Sequence, residues 1–182
     1  MGLRYGFKTE ANWYAREMRR ELGIPAHGVL CPWKLAAHLD FPVFPLSFYE
    51  AIEPKAVAYF RSRLGQREFS AITIFEGYTR LIVHNDTHEE DRQASNIAHE
   101  LAHGLLLHPP KPPIDEHGSR HYNPVLEEEA NWLGPALLVS DEAAVRVVRS
   151  GLTVPDAAAL YKVSKQVMQM RINMSGARKR AA

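Results

Sequence analysis

The chain has 182 residues, 46% apolar and 24% charged, with a net charge of +1 at neutral pH. That length suits one main domain able to bury a core, and the near-neutral balance provides no basic field for non-specific nucleic-acid binding. Cys31 is the only cysteine, which excludes an internal disulfide and any zinc site built from several cysteines.

The opening stretch MGLRYGFKTEANWYAREMRR is charged throughout and lacks the apolar centre of a signal peptide. Gly6 stands where a myristoylation signal wants Ser or Thr. No apolar run approaches the ~20 residues that span a bilayer, so a cytoplasmic protein with no membrane partner is expected. Residues 9–22 carry Ala11, Tyr14, Ala15, Met18 and Leu22 at helical spacing, with Thr9 as the expected cap and Gly23 as the stop. PWKLAAHL, residues 32–39, predicts a short helix with Pro32 in its first turn. DFPVFPLSF holds two prolines and reads as an extended or edge segment. A further helix is expected from Pro54 to Leu64, ended by Gly65.

The character then changes. Runs 69–75 and 78–84 are β-rich and are separated by Glu76-Gly77, which predicts a hairpin. Thr87-His88-Glu89-Glu90 has the form of a capping box and opens a helix that continues until Pro109. The Pro-rich piece 108–124 is the longest loop, and loops of that length often cover or bind. Asn123-Pro124 then caps and starts a helix through VLEEEANWLGPALLVS, with a bend expected at Gly134-Pro135. Another helix follows near 141–149, ended by Gly151. The remainder predicts two short helices joined at KVS, giving a division into residues 1–150 and a helical tail, 151–182.

Chemistry concentrates in the helix after the hairpin. Ala94, Ile97, Ala98, Leu101, Ala102 and Leu105 give it a buried face, and His99-Glu100-Leu101-Ala102-His103 sits in its middle as HExxH. Residues four apart are neighbours on a helix, so His99 and His103 can share one ion. Glu100, beside the pair, is placed to act as a general base. Chance alone yields this pattern in roughly one such chain in thirty, so a third ligand has to decide. His108 lies five residues past His103 and projects about 140° away on a continuing helix. Leu106 and Pro109 occupy the positions where a metzincin needs Gly and His. Glu127, Glu128 and Glu129 on the following helix remain, and spacing does not choose among them. Glu127 shares a face with Asn131 and Gly134, residues small enough to admit the metal helix.

RQASNIAHELAHGLLLH followed by LEEEANWLGPALLVS resembles the ImmA/IrrE family of metallopeptidases, which pairs an HExxH helix with a downstream ExxAN motif. AREMRRELGI, LAAHLDFPV and LYKVSKQVMQMRI are similar to the family's outer segments. Leu133-Gly134-Pro135 and Ser140 depart from its usual pattern. The resemblance implies an α+β, mostly helical, gluzincin-like domain with a small sheet and a helix-turn-helix-like tail. It puts the metal ligands at His99, His103 and Glu127, the general base at Glu100, and one Zn²⁺ between the ligands. A His₂Glu set does not exclude manganese or iron. It also implies a zinc endopeptidase that cleaves a helix-turn-helix repressor. His117, His121 and Tyr122 are candidate donors to the transition state, and Arg92, on the face of His99, is expected either to orient a carboxylate or to be solvated. The alternative is a non-hydrolytic, metal-bound regulator that binds a repressor, or binds DNA through its tail. The stripe Val163, Val167, Met168 and Met170 suits a core better than a DNA face.

Overall fold

The computed structural model describes residues 2–76, 79–109 and 123–181. Helix α1 (Phe7–Glu21) begins two residues before the expected Thr9, because Gly6, at φ +80, turns the chain so that Phe7 enters the core fully buried. Helix α2 (Pro32–His38) has proline in its first turn, as expected. Strand β1 (Val43–Pro45) lies at one edge of the sheet, where its proline costs no ladder bond in a central position. Helix α3 (Pro54–Arg61) stops short of Leu64 because Ser62 turns extended. The Ser62 hydroxyl then accepts the Gly65 N–H at 3.1 Å, and the single turn α4 (Gly65–Glu68) follows.

Strands β2 (Ala71–Glu76) and β3 (Thr79–His84) pair antiparallel, with Ala71 opposite His84 and Glu76 opposite Thr79. β1 joins β3 in parallel, giving the order β1-β3-β2 and leaving β2 at the second edge. The expected hairpin is present, while its turn, residues 77 and 78, lies outside the described residues.

Helix α5 (Glu90–Leu105) does not start with the predicted capping box. Glu89 is its N-cap and provides no side-chain cap bond. Buried Asn85 is the reason: its amide bonds the carbonyls of Phe60 and Phe69, so its Oδ1 faces Thr87. That oxygen accepts the Thr87 N–H at 3.2 Å and hydroxyl at 2.6 Å, an Asx turn that outcompetes the cap. Gln93 reaches back instead, donating to the carbonyl of His88 at 2.6 Å.

Helix α6 (Pro124–Leu138) is capped as predicted, with Asn123 Oδ1 accepting the Val125 N–H at 3.1 Å. It runs as one helix across Gly134-Pro135 and ends at Leu138, and Ser140 caps α7 (Asp141–Arg149). Helices α8 (Val154–Tyr161) and α9 (Lys165–Met174) are the predicted pair, turning at Lys162 with φ +53. A third short helix, α10 (Ala177–Ala181), follows Gly176 at φ +63 and was not expected.

The result is a mostly helical α+β fold with a three-stranded mixed sheet. One core gathers Phe7, Leu35, Ile82, Ile97, Leu101 and Leu133 from α1, α2, β3, α5 and α6. A second joins Leu138, Ala144, Val147, Tyr161, Met168 and Ile172, with Ala98 of α5 reaching into it. Val163 and Met168 are buried there, so part of the apolar stripe of the tail faces the protein. Among the described residues no helix is long and apolar enough to cross a membrane.

The packing of α5 on α6 is what positions the site. A Cβ at Gly134 would stand 3.1 Å from both Cα and N of His99, backbone atoms that cannot swing aside. Gly134→Val is therefore expected to destabilise the fold by about 1–3 kcal/mol, read from chemical denaturation. Unchanged stability would show that the two helices have room to part.

Candidate metal centre

His99 and His103 leave the same face of α5 one turn apart, with their Nε2 atoms 3.1 Å from each other. Glu127, in the first turn of α6, brings its Oε2 to 3.3 Å from His99 Nε2 and its Oε1 to 3.7 Å from His103 Nε2. With zinc–ligand bonds of about 2.0–2.1 Å, two donors of a tetrahedral site stand about 3.3 Å apart. The observed separations bracket that edge, and a set of two imidazoles and a carboxylate suits a divalent cation. The residues present fit such an ion. The imidazoles of His103 and then His99 standing against it hold the Glu127 carboxyl well below the usual carboxylate range, so it is ionised.

These side chains open onto a cleft of about 570 Å³ walled by β2, α5 and α6. Glu100 lines the cleft beside the donor triangle, and the Thr73 hydroxyl of β2 donates to its Oε2 at 2.6 Å. That bond fixes one carboxylate oxygen and leaves the other for a proton. Asn96 also lines the cleft, and its buried Nδ2 has no partner among the described residues. Arg80 of β3 stands over the rings of Phe75 and Phe41, 5.1 and 5.9 Å from their centroids, and adds a cation to the wall.

Of the three consecutive glutamates, Glu127 alone joins the histidine pair. Glu129 is buried on another side, where its Oε1 accepts from Arg4 Nε at 2.7 Å. His108, set aside at the sequence level because a continuing helix would carry it away, lies instead against His103 with the two Nδ1 atoms 2.7 Å apart. The helix does not continue. Leu107 adopts φ +53, and the His108 and Leu107 N–H groups close back on the carbonyls of His103 and Gly104 at 3.0 and 3.1 Å. That reversal folds His108 under the metal helix, and a leucine in place of the customary glycine gives no signal of it.

Sequence reasoning also missed Thr73 and Arg80. The one available signal for Arg80 was a lone cation in the otherwise apolar run RLIV. Among the described residues Arg92 meets no carboxylate: it donates to the Gln66 carbonyl at 3.3 Å and the Ser70 hydroxyl at 3.1 Å, tying the start of β2 to α5. His117, His121 and Tyr122 lie outside the described residues.

A cleft with a His-His-Glu donor set beside a positioned carboxylate defines the class: proteins that can hold a metal ion next to an acid–base group. Residues 48–173 match the peptidase family Peptidase_M78, the IrrE N-terminal-like domain, and the chain belongs to that family. The match includes both histidines, Glu100 and Glu127. Comparison with curated proteins gave no match, nor did comparison with solved structures.

Proposed function

We propose that this protein is a zinc-dependent endopeptidase of gluzincin-like design that cleaves a helix-turn-helix repressor or a similar regulatory protein in the cytoplasm. The observation that carries the reading is the triangle His99, His103 and Glu127 with Glu100 standing beside it in an open cleft. Family membership supports peptide hydrolysis as the reaction.

When bound, zinc would supply Lewis acidity, lowering the pKa of its water and polarising a carbonyl. The remaining work falls to the side chains. Glu100, held by Thr73 through one oxygen, takes the proton of the attacking water on the other and delivers it to the leaving amine. Asn96 brings a donor with no protein partner among the described residues to the same cleft, suited to a substrate carbonyl.

The test is to incubate the purified chain, zinc-loaded, with a panel of purified helix-turn-helix repressors and to look for a new N-terminus by mass spectrometry. A single cut made by the wild type and not by Glu100→Gln supports the proposal. Repressor release from DNA with both chains intact would point instead to sequestration.

A further inference from the structure

Resting on the metal-site reading above, we infer that His108 and Glu129, braced by Arg4, form an outer support that fixes the proton of His103 on Nδ1 and so aims its Nε2 at the metal. His103 turns Nε2 towards His99 and Glu127. For that nitrogen to coordinate, its lone pair must be free, and the ring proton therefore sits on Nδ1. Nδ1 points at His108 Nδ1, 2.7 Å away, which must accept. The proton of His108 is then on Nε2, directed at Glu129 Oε2 at 3.2 Å, and a carboxylate is an acceptor only. The other oxygen of Glu129 takes the Arg4 Nε–H at 2.7 Å, and Arg4 Nη2 pairs with Glu10 at 2.7 Å. Each link admits one direction of donation, so the chain of bonds selects one tautomer of each ring.

Burial gives the arrangement its force. The side chains of His108 and Glu129 are each only 7% exposed, so water does not readily replace either partner. The backbone holds His108 in place through an unusual turn, since exposed Leu107 sits at φ +53, a conformation L side chains rarely adopt. The support also links the segment before α1 to the metal helix. His108 and Glu129 act through His103 and are positioning residues.

The experiment measures zinc affinity of the full chain by competition with a chromophoric chelator at fixed pH. It compares wild type, His108→Leu, His108→Asn and Arg4→Met. Leucine fills the buried space but accepts no hydrogen bond, whereas asparagine is smaller and carries an acceptor close to the position of Nδ1. Loss of such outer partners typically weakens metal binding by about 10–100-fold. The inference expects that loss in His108→Leu, partial recovery in His108→Asn, and a several-fold loss in Arg4→Met. A packing role would reverse the order of leucine and asparagine, and that order, or wild-type affinity in His108→Leu, would overturn the inference. Should the His108 variants fail to fold, Arg4→Met decides, because Arg4 is half-exposed and its loss is tolerable, and unchanged affinity there overturns the inference. A wild type that takes up no zinc would overturn the metal-site reading itself, and this inference with it.

Discussion

Glu100→Gln is expected to lower peptide hydrolysis by about 10²–10⁴-fold, the usual contribution of a general base, and to leave metal content unchanged. The substitution keeps the shape of the side chain. Its amide oxygen can still accept the Thr73 hydroxyl bond, which spans 2.6 Å to the carboxylate in the native chain. The donor triangle is untouched, because it draws on His99, His103 and Glu127. What the variant loses is a group able to carry a proton from water to the leaving amine. The check is kcat/KM on the identified substrate beside elemental analysis of both proteins. Activity within a few-fold of wild type would remove Glu100 from the chemistry, even with metal present.

Asp141→Ala is expected to cost about 3–5 kcal/mol of stability, a large share of the 5–15 kcal/mol that holds a typical domain together. Arg171 of α9 is fully buried, and its Nη2 pairs with Asp141 Oδ1 at 2.8 Å. Burial pushes the Arg171 guanidinium down from its ordinary value, and Asp141 is the first influence raising it again. Removing the carboxylate would strand a cation whose remaining bond runs from Nε to the Val139 carbonyl at 2.8 Å. Arg19, also fully buried, lies near enough to repel it; burial lowers Arg19 to about 10, still a cation at neutral pH. Asp141 also holds Arg180 at 2.8 Å and Asn12 at 3.0 Å, so one side chain links α1, α7, α9 and α10. Guanidinium-chloride unfolding reads the effect. A loss under 1 kcal/mol would mean that water reaches Arg171 once the carboxylate is gone.

Much of the site was legible in the chain because its parts are local. The four-residue spacing of His99 and His103 puts both imidazoles on one face whatever the helix packs against. Asn123-Pro124 marks the start of α6 through its own side chain and ring. Gly134 pointed to a close approach, and a backbone lies 3.1 Å from where its Cβ would be. The choice of Glu127 was not local. Three consecutive glutamates present the same chemistry, and only the rotation of α6 against α5 separates the one facing the histidines from the one facing Arg4.

Where the reading failed, distant or backbone effects had intervened. Projecting His108 along an ideal helix assumes that the helix continues, and Leu107 breaks it in a conformation that leucine does not announce. The Thr87 cap was lost to Asn85, whose orientation is set by carbonyls of Phe60 and Phe69 far back in the chain. Thr73 reaches Glu100 only because the sheet stands behind the metal helix. Of these contacts only the turn from Asn85 to Thr87 is local in sequence.

His99, His103 and Glu127 are expected to hold one metal ion between them. The decisive measurement is metal content per chain, by elemental analysis of the purified wild type and of Glu127→Ala. Close to one zinc per chain is expected in the wild type, and none in the variant. A wild type that stays empty after zinc is supplied, or a variant that keeps its metal, would contradict it.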